Sequence, residues 1–324
     1  MPASITKNQV SPFTLEDMFH TAFPGEEMRS VNELNEGFFN AAYEIGMEGE
    51  KSVILKIAPP ASTLLMTYEK DIMASEVDCM RKVRRMTDVP AAKILFYDDS
   101  HTICDADYFF MERLEGKSFS SCMDGMTERE KNAILYQMGK YTAAINQVTG
   151  TKFGYYGQPE KQGENWYAVF QSMIRDLYLD AEQKEVWIDI TEDRLLTLLE
   201  REKEAFYPVT VPRLIHWDMW AGNVFVQDGK VTGIIDFERC LWGDELLEVG
   251  FRTYDIQNAF YEGYGMQHLS GSQRIRAEWY DIYLFLISCM EGAYRQYDNR
   301  EAYYWGSHML AEWVRRKEER GVIW

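Results

Sequence analysis

The stretch His216-Trp217-Asp218-Met219-Trp220-Ala221-Gly222-Asn223 is followed, after a short apolar hairpin, by Ile234-Ile235-Asp236-Phe237-Glu238. Asn223 comes five positions after Asp218, and Asp236 thirteen after Asn223. Phosphoryl transfer uses these residue types at this spacing. One carboxylate orients an acceptor hydroxyl and takes its proton, while an amide and a second carboxylate offer hard oxygen donors to a divalent cation. The intervening segment explains how donors so far apart can meet. Asn223 to Gln227 and Lys230 to Ile235 read as two strands joined at Asp228-Gly229, which returns the chain to its start. A single aspartate is more often a helix cap or a turn residue than a catalyst, so the complete set carries the reading. Asp218 is the candidate base, and Asn223 and Asp236 are the candidate metal ligands. His216 reads as a packing residue that holds the loop. Trp217 and Trp220 either fill a core or frame a ring-shaped substrate, with core favoured.

Working outward, Val53-Ile54-Leu55-Lys56-Ile57 places a charge inside an apolar strand. Such a lysine needs a partner or a cleft. Glu76, twenty residues on in a segment of helical periodicity (64–86), is the best partner, with Glu69 second. Strand patterns cover Met28 to Leu34, Asn40 to Ile45, Ser52 to Ile57, Lys93 to Tyr97 and Tyr108 to Glu112. Gly37 and Phe38 fall in the turn between the first two, where backbone amides could approach phosphates. A lone glycine there is also what any hairpin can have. Beyond Gly116 helical patterns dominate, at 127–148, 164–182, 190–205, 244–264, 272–297 and 300–319, interrupted by the 223–236 hairpin.

The expected fold is therefore α+β and two-lobed. Residues 1–112 form an antiparallel sheet with a helix, a hinge falls at 111–117, and residues 117–324 form a mainly helical lobe. The 324 residues suffice for two cores, and 46% hydrophobic content excludes a disordered chain. With 34 basic against 52 acidic residues the net charge is −18, which disfavours nucleic acid and anionic membranes as partners. The five cysteines are scattered and form no C-x-x-C pair, so neither a disulfide framework nor a zinc site is expected. The N-terminus has no signal-peptide pattern, and no apolar run is long enough to span a bilayer. A cytoplasmic protein, monomeric or weakly dimeric, is expected.

On these motifs the chain resembles the aminoglycoside phosphotransferase and choline kinase superfamily, over roughly residues 28–320. The carriers are the 216–223 and 234–238 loops, the lysine strand, and the linker Met111-Glu112-Arg113-Leu114-Glu115-Gly116. The resemblance implies a bilobal protein-kinase-like fold and transfer of the γ-phosphate of ATP or GTP, with Mg2+, to a small-molecule hydroxyl. Asp218 would be the base, Asn223 and Asp236 the metal ligands, and Lys56 with Glu76 the ion pair at the phosphates. Glu112 and Leu114 would meet the nucleotide base through backbone groups. No activation segment ending in Ala-Pro-Glu follows Asp236, which argues against a protein substrate. Trp217 stands where many relatives have glycine, and Glu248 where many have aspartate.

Five acids between Cys240 and Tyr264 (Asp244, Glu245, Glu248, Asp255 and Glu262), with nearby tyrosines, would suit an amine-bearing substrate such as an aminoglycoside. A solvated acidic face over an aromatic core is the plainer alternative. Choline, ethanolamine or a ketosamine are the alternative acceptors. A nucleotide-binding pseudokinase is the alternative of another class.

Overall fold

The computed structural model describes residues 5–34, 37, 39–49 and 51–319. Phe38, expected near the phosphates, lies outside the described residues. The chain opens with a helix that the sequence reading did not foresee, α1 (Pro12–Ala22). Its start is locally encoded: Pro12 takes the first turn, and the Ser11 hydroxyl accepts a hydrogen bond from the Thr14 amide. Leu15, Met18 and Phe19 pack beneath the sheet that follows.

That sheet contains β1 (Met28–Leu34), β2 (Ala41–Met47), β3 (Ser52–Ile57), β4 (Ile94–Asp98) and β5 (Tyr108–Glu112), in the order β1-β2-β3-β5-β4. All four pairings are antiparallel. Helix α2 (Ile72–Met86) connects β3 to β4. Strand alternation decides where the lysine points. Val53, Leu55 and Ile57 share the α1 core, whereas Ile54 lies in the core on the opposite face. Lys56 therefore emerges on the Ile54 face, in the central strand, where α2 presents Met73, Glu76, Val77, Met80 and Val83.

The linker is fastened to the 223–236 hairpin itself. Gly116 has φ +91°, and a Cβ there would stand 2.3 Å from the Val226 carbonyl oxygen, so only glycine fits. β6 (Lys117–Ser118) then pairs with β9 (Val224–Gln227), which pairs with β10 (Lys230–Ile234). The rest is α3 (Phe119–Cys122), α4 (Glu128–Ile145), β7 (Gly154–Tyr155), α5 (Trp166–Gln183), α6 (Glu192–Arg201), β8 (Arg213–Ile215), β11 (Leu241–Gly243), α7 (Asn258–Tyr264), α8 (Gly271–Arg295) and α9 (Glu301–Glu319). β11 pairs antiparallel with both β7 and β8. No helix among the described residues is long and apolar enough to cross a membrane.

One expected helix is largely absent. Residues 244–264 form two 3-10 turns, Glu245–Leu247 and Val249–Phe251, and only then α7. The acids in this stretch serve the core instead of a helix surface. Asp244, 3% exposed, accepts from Arg276 at 2.5 Å and Tyr280 at 2.6 Å. Glu248 is turned inward too, and Glu245 pairs with Arg213 at 2.6 Å. Two of the five acids read as substrate attractors are thus spent inside the protein, and a third is held in a partly exposed ion pair.

α4 and α7 cross at facing glycines. A Cβ on Gly139 would lie 2.2 Å from the Phe260 carbonyl oxygen, and one on Gly263 2.0 Å from that of Tyr136. Gly263→Ala is expected to destabilise the protein by about 1–3 kcal/mol through overpacking. This should outweigh the roughly 1 kcal/mol that alanine gains in helix propensity. Denaturant midpoints measure the difference, and a midpoint equal to or above that of the native protein would contradict the close crossing.

Candidate active site

Two loops meet beneath the sheet, and each is gripped at both ends. The 216–223 loop leaves β8 and enters β9, while the 235–240 loop leaves β10 and enters β11. Since β9 pairs with β10 and β8 with β11, the two loops are clamped side by side. The Ile235 amide also donates to the Asn223 carbonyl at 3.1 Å. The hairpin thus brings Asn223 beside the Asp236 loop, as its turn chemistry implied.

His216 is fully buried and bridges the loops. Its Nδ1 accepts from the Asp218 amide at 3.2 Å, and Nε2 faces the Ile235 carbonyl at 3.0 Å. This arrangement requires a neutral ring with the proton on Nε2. Burial holds its pKa down at about 4 against the opposing pull of Asp236. The ring also packs on Phe237, with centroids 4.3 Å apart. Below it, Glu248 accepts from the amides of His216 and Trp217 at 2.9 Å each, and from Asn146 Nδ2 at 2.9 Å.

Trp217 has φ +62°, the left-handed region where a side chain is disfavoured. Glycine, which the resemblance places at this position, would adopt it without strain. Here the strain is offset by burial: the indole stacks on Tyr283 at 5.4 Å and meets Tyr68 edge-on at 5.8 Å. Trp217 is thus core, while Trp220 is 45% exposed. The preference for core holds for the first tryptophan and fails for the second.

Asp218 and Asn223 are joined, since Asn223 Nδ2 donates to the Asp218 carbonyl at 2.9 Å and to its Oδ2 at 3.1 Å. The Asn223 amide oxygen is the atom left for a cation. Burial raises the Asp218 pKa to about 6, with Arg239 opposing the shift. Arg239 was not singled out by the sequence reading. Its guanidinium lies over Tyr68 at 5.6 Å and Trp217 at 5.8 Å, and its Nη2 binds Glu291 of α8 at 3.0 Å. Its position directly after Glu238 was the available signal. Partners so distant in the chain gave it no pattern.

Lys56 Nζ reaches both Glu76 oxygens at 2.8 Å and Asp236 Oδ1 at 2.7 Å. Glu69, the second expected partner, instead pairs with Arg295 at 2.9 Å. Burial opposes the ammonium charge, but Asp236 and Glu76 outweigh it and keep Lys56 protonated. Asp236 itself adopts φ +69°. Glu76, Asp236 and Glu238 offer oxygens within 4.8 Å of one another, so two buried acids and the partly exposed Asp236 face one ammonium. Burial, reinforced by Asp236, pushes the Glu238 carboxyl well above the usual range. A site short of positive charge and rich in oxygen donors fits a hard divalent cation. Asn40, just past the expected phosphate turn, donates to Glu238 Oε2 at 2.8 Å and ties the sheet to this loop.

The remaining expectations are placed less decisively. Gly37 is exposed, and a Cβ on it would come no nearer than 3.9 Å to the Asn40 carbonyl. The Glu112 amide already donates to the Lys93 carbonyl at 2.9 Å, so it is not free for a nucleotide base. The Leu114 side chain packs so close to Gly233 that a Cβ there would meet it at 2.2 Å.

The family model of the phosphotransferase enzyme family matches residues 30–280. The chain belongs to this family. Two curated relatives are similar in sequence. A protein named as a probable ketoamine kinase from Enterococcus faecium is 26% identical over 247 residues, covering 74% of this chain and 78% of its own. Another of that name from Staphylococcus aureus is 31% identical over 84 residues, 25% of this chain and 28% of its own.

Solved structures share the fold at lower identity. The streptomycin–ATP ternary complex of APH(2")-IIa matches with TM-score 0.65 and 14% identity, covering 94% of this chain and 97% of that one. APH(4)-Ia with AMP-PNP and hygromycin B matches with TM-score 0.65 and 18% identity, covering 93% and 98%. The bilobal phosphotransferase fold anticipated from the loops is thus the fold found.

For this phosphotransferase the buried His216 makes a stability prediction. Its folded pKa of about 4 lies below the ordinary imidazole value of about 6.5, so between these the unfolded chain binds the extra proton. Its contribution, on the order of 3 kcal/mol, is complete above the unfolded value and is lost as pH falls toward 4. The stability difference between the native protein and His216→Gln should therefore shrink from pH 7 to pH 4. A pH-independent difference would contradict the buried neutral ring.

Proposed function

We propose that the protein transfers the γ-phosphoryl group of ATP or GTP to a hydroxyl of a small amine-bearing acceptor, with Asp218 as base. The observation that supports this is the convergence of Asp218, Asn223, Asp236 and Lys56 from three segments of the chain, strand β3 and the two clamped loops. Asn223 and Asp236 would hold a magnesium ion, which supplies charge neutralisation at the phosphates. Lys56 is held by Glu76 in reach of the same phosphates and releases Asp236 as the nucleotide enters.

The acceptor hydroxyl donates to Asp218, and its proton passes to that carboxylate as the oxygen–phosphorus bond forms. The bond from the γ-phosphorus to the bridging oxygen breaks, and the nucleoside diphosphate leaves. The raised Asp218 pKa suits a group that must accept a proton near neutrality. Arg239 lies close enough to Asp218 to oppose that shift, and so to offset negative charge developing beside it.

Among acceptors, a ketosamine is the class we favour. Sequence likeness is greater to the two proteins named as probable ketoamine kinases than to the aminoglycoside enzymes, which share the fold at 14% and 18% identity. An aminoglycoside or choline-type alcohol is the competing acceptor. Incubation with magnesium-ATP and matched ketosamines, amino sugars and choline, followed for ADP, distinguishes them. Asp218→Asn should reduce turnover by roughly 10²–10⁴-fold while nucleotide binding persists. Turnover retained by this variant would refute the base assignment.

A further inference from the structure

Alongside the catalytic loop lies a cavity of about 370 Å³ that the chemistry above does not use. Its walls are apolar and adaptable: Met123, Leu135, Met138, Met219 and Phe260 line it, and Trp220 stands at its edge. Met219, Trp220 and Ala221 come from the catalytic loop itself, directly after Asp218. The loop is fixed on this side, with the Ser120 amide donating to the Ala221 carbonyl at 2.9 Å and Thr142 Oγ1 to Met219 Sδ at 3.2 Å. The cavity wall is therefore part of the same rigid element as the base.

The charged groups on the rim are already partnered, and Asn132 adds an exposed amide there. Lys131 pairs with Glu128 at 3.0 Å, and Asp255 accepts from Gln257 at 2.7 Å. An occupant consequently meets apolar surface without a charge demanding compensation. Trp220, at 45% exposed, presents an indole that a ligand would cover. Trp220 is two residues beyond Asp218, a chain reach of at most about 7 Å, roughly the span of one sugar ring.

Resting on the reading of the protein as a ketosamine kinase, we propose that this cavity receives the apolar side chain on the amine half of the acceptor. The sugar hydroxyl then lies at Asp218, and the amine substituent extends past Trp220 into the space bordered by α4 and the 249–260 segment. The preferred acceptors are ketosamines of bulky apolar amino acids, such as leucine and phenylalanine, over those of glycine.

The test is kcat/KM for a matched series of fructose-derived ketosamines of glycine, leucine and phenylalanine, with magnesium-ATP. The leucine and phenylalanine adducts are expected to exceed the glycine adduct by about tenfold or more. Leu135→Trp, which fills the cavity, and Leu135→Glu, which makes it polar, should each bring that ratio toward one. Thermal unfolding of both variants identifies any that fails to fold, and the native series stands without them. A ratio near one in the native protein, or a ratio preserved in folded variants, overturns the cavity assignment while leaving ketosamine phosphorylation standing. Absence of turnover with every adduct overturns both.

Discussion

Lys56 is held by two acids at once, and the site depends on how that competition is balanced. Glu76 grips it from α2 with both oxygens, and Asp236 grips it from the loop between β10 and β11. A lysine 8% exposed in a central strand could not remain charged without such partners. With Glu238 nearby, three carboxyls crowd round that one ammonium, and burial with the Asp236 charge pushes the Glu238 carboxyl toward its neutral form. The cluster therefore joins the lobes and at the same time favours further cations. Asn40 to Glu238, and the Arg295 guanidinium over the Phe39 ring at 5.2 Å, repeat the tie from sheet to helical lobe.

The lower half of the cleft is rigid for a different reason. Short strands clamp both functional loops at entry and exit, so Asp218, Asn223 and Asp236 are positioned by backbone pairing. His216 and Glu248 then fill the space between the loops with satisfied hydrogen bonds, and the strained Trp217 backbone is held by aromatic packing. Such a frame suits transfer chemistry, in which orientation and fixed electrostatics supply most of the rate.

The candidate site was legible in the sequence because the chemistry it suggests fixes both residue type and spacing there. Asp218, Asn223 and Asp236 flank one hairpin, and Lys56 stood out as a charge in an apolar strand. What stayed hidden depends on long-range partners. Arg239 meets residues far away in the chain, Tyr68 and Glu291. The β7-β11-β8 sheet has strands of two or three residues, too short for any alternation to show. The helix expected over 244–264 failed because tertiary hydrogen bonds claimed Asp244 and Glu248, overriding their local periodicity. Helix α1 did carry a local signature, Ser11-Pro12, that the sequence reading passed over.

The central claim is that Asp236 exchanges Lys56 for a divalent cation when nucleotide binds. Calorimetric titration of a non-hydrolysable ATP analogue, with and without magnesium, tests this in the native protein and in Asp236→Asn. The account predicts at least about tenfold tighter binding with magnesium in the native protein, and loss of that dependence in the variant. Equal affinity with and without magnesium in the native protein, or an undiminished magnesium effect in Asp236→Asn, would contradict it.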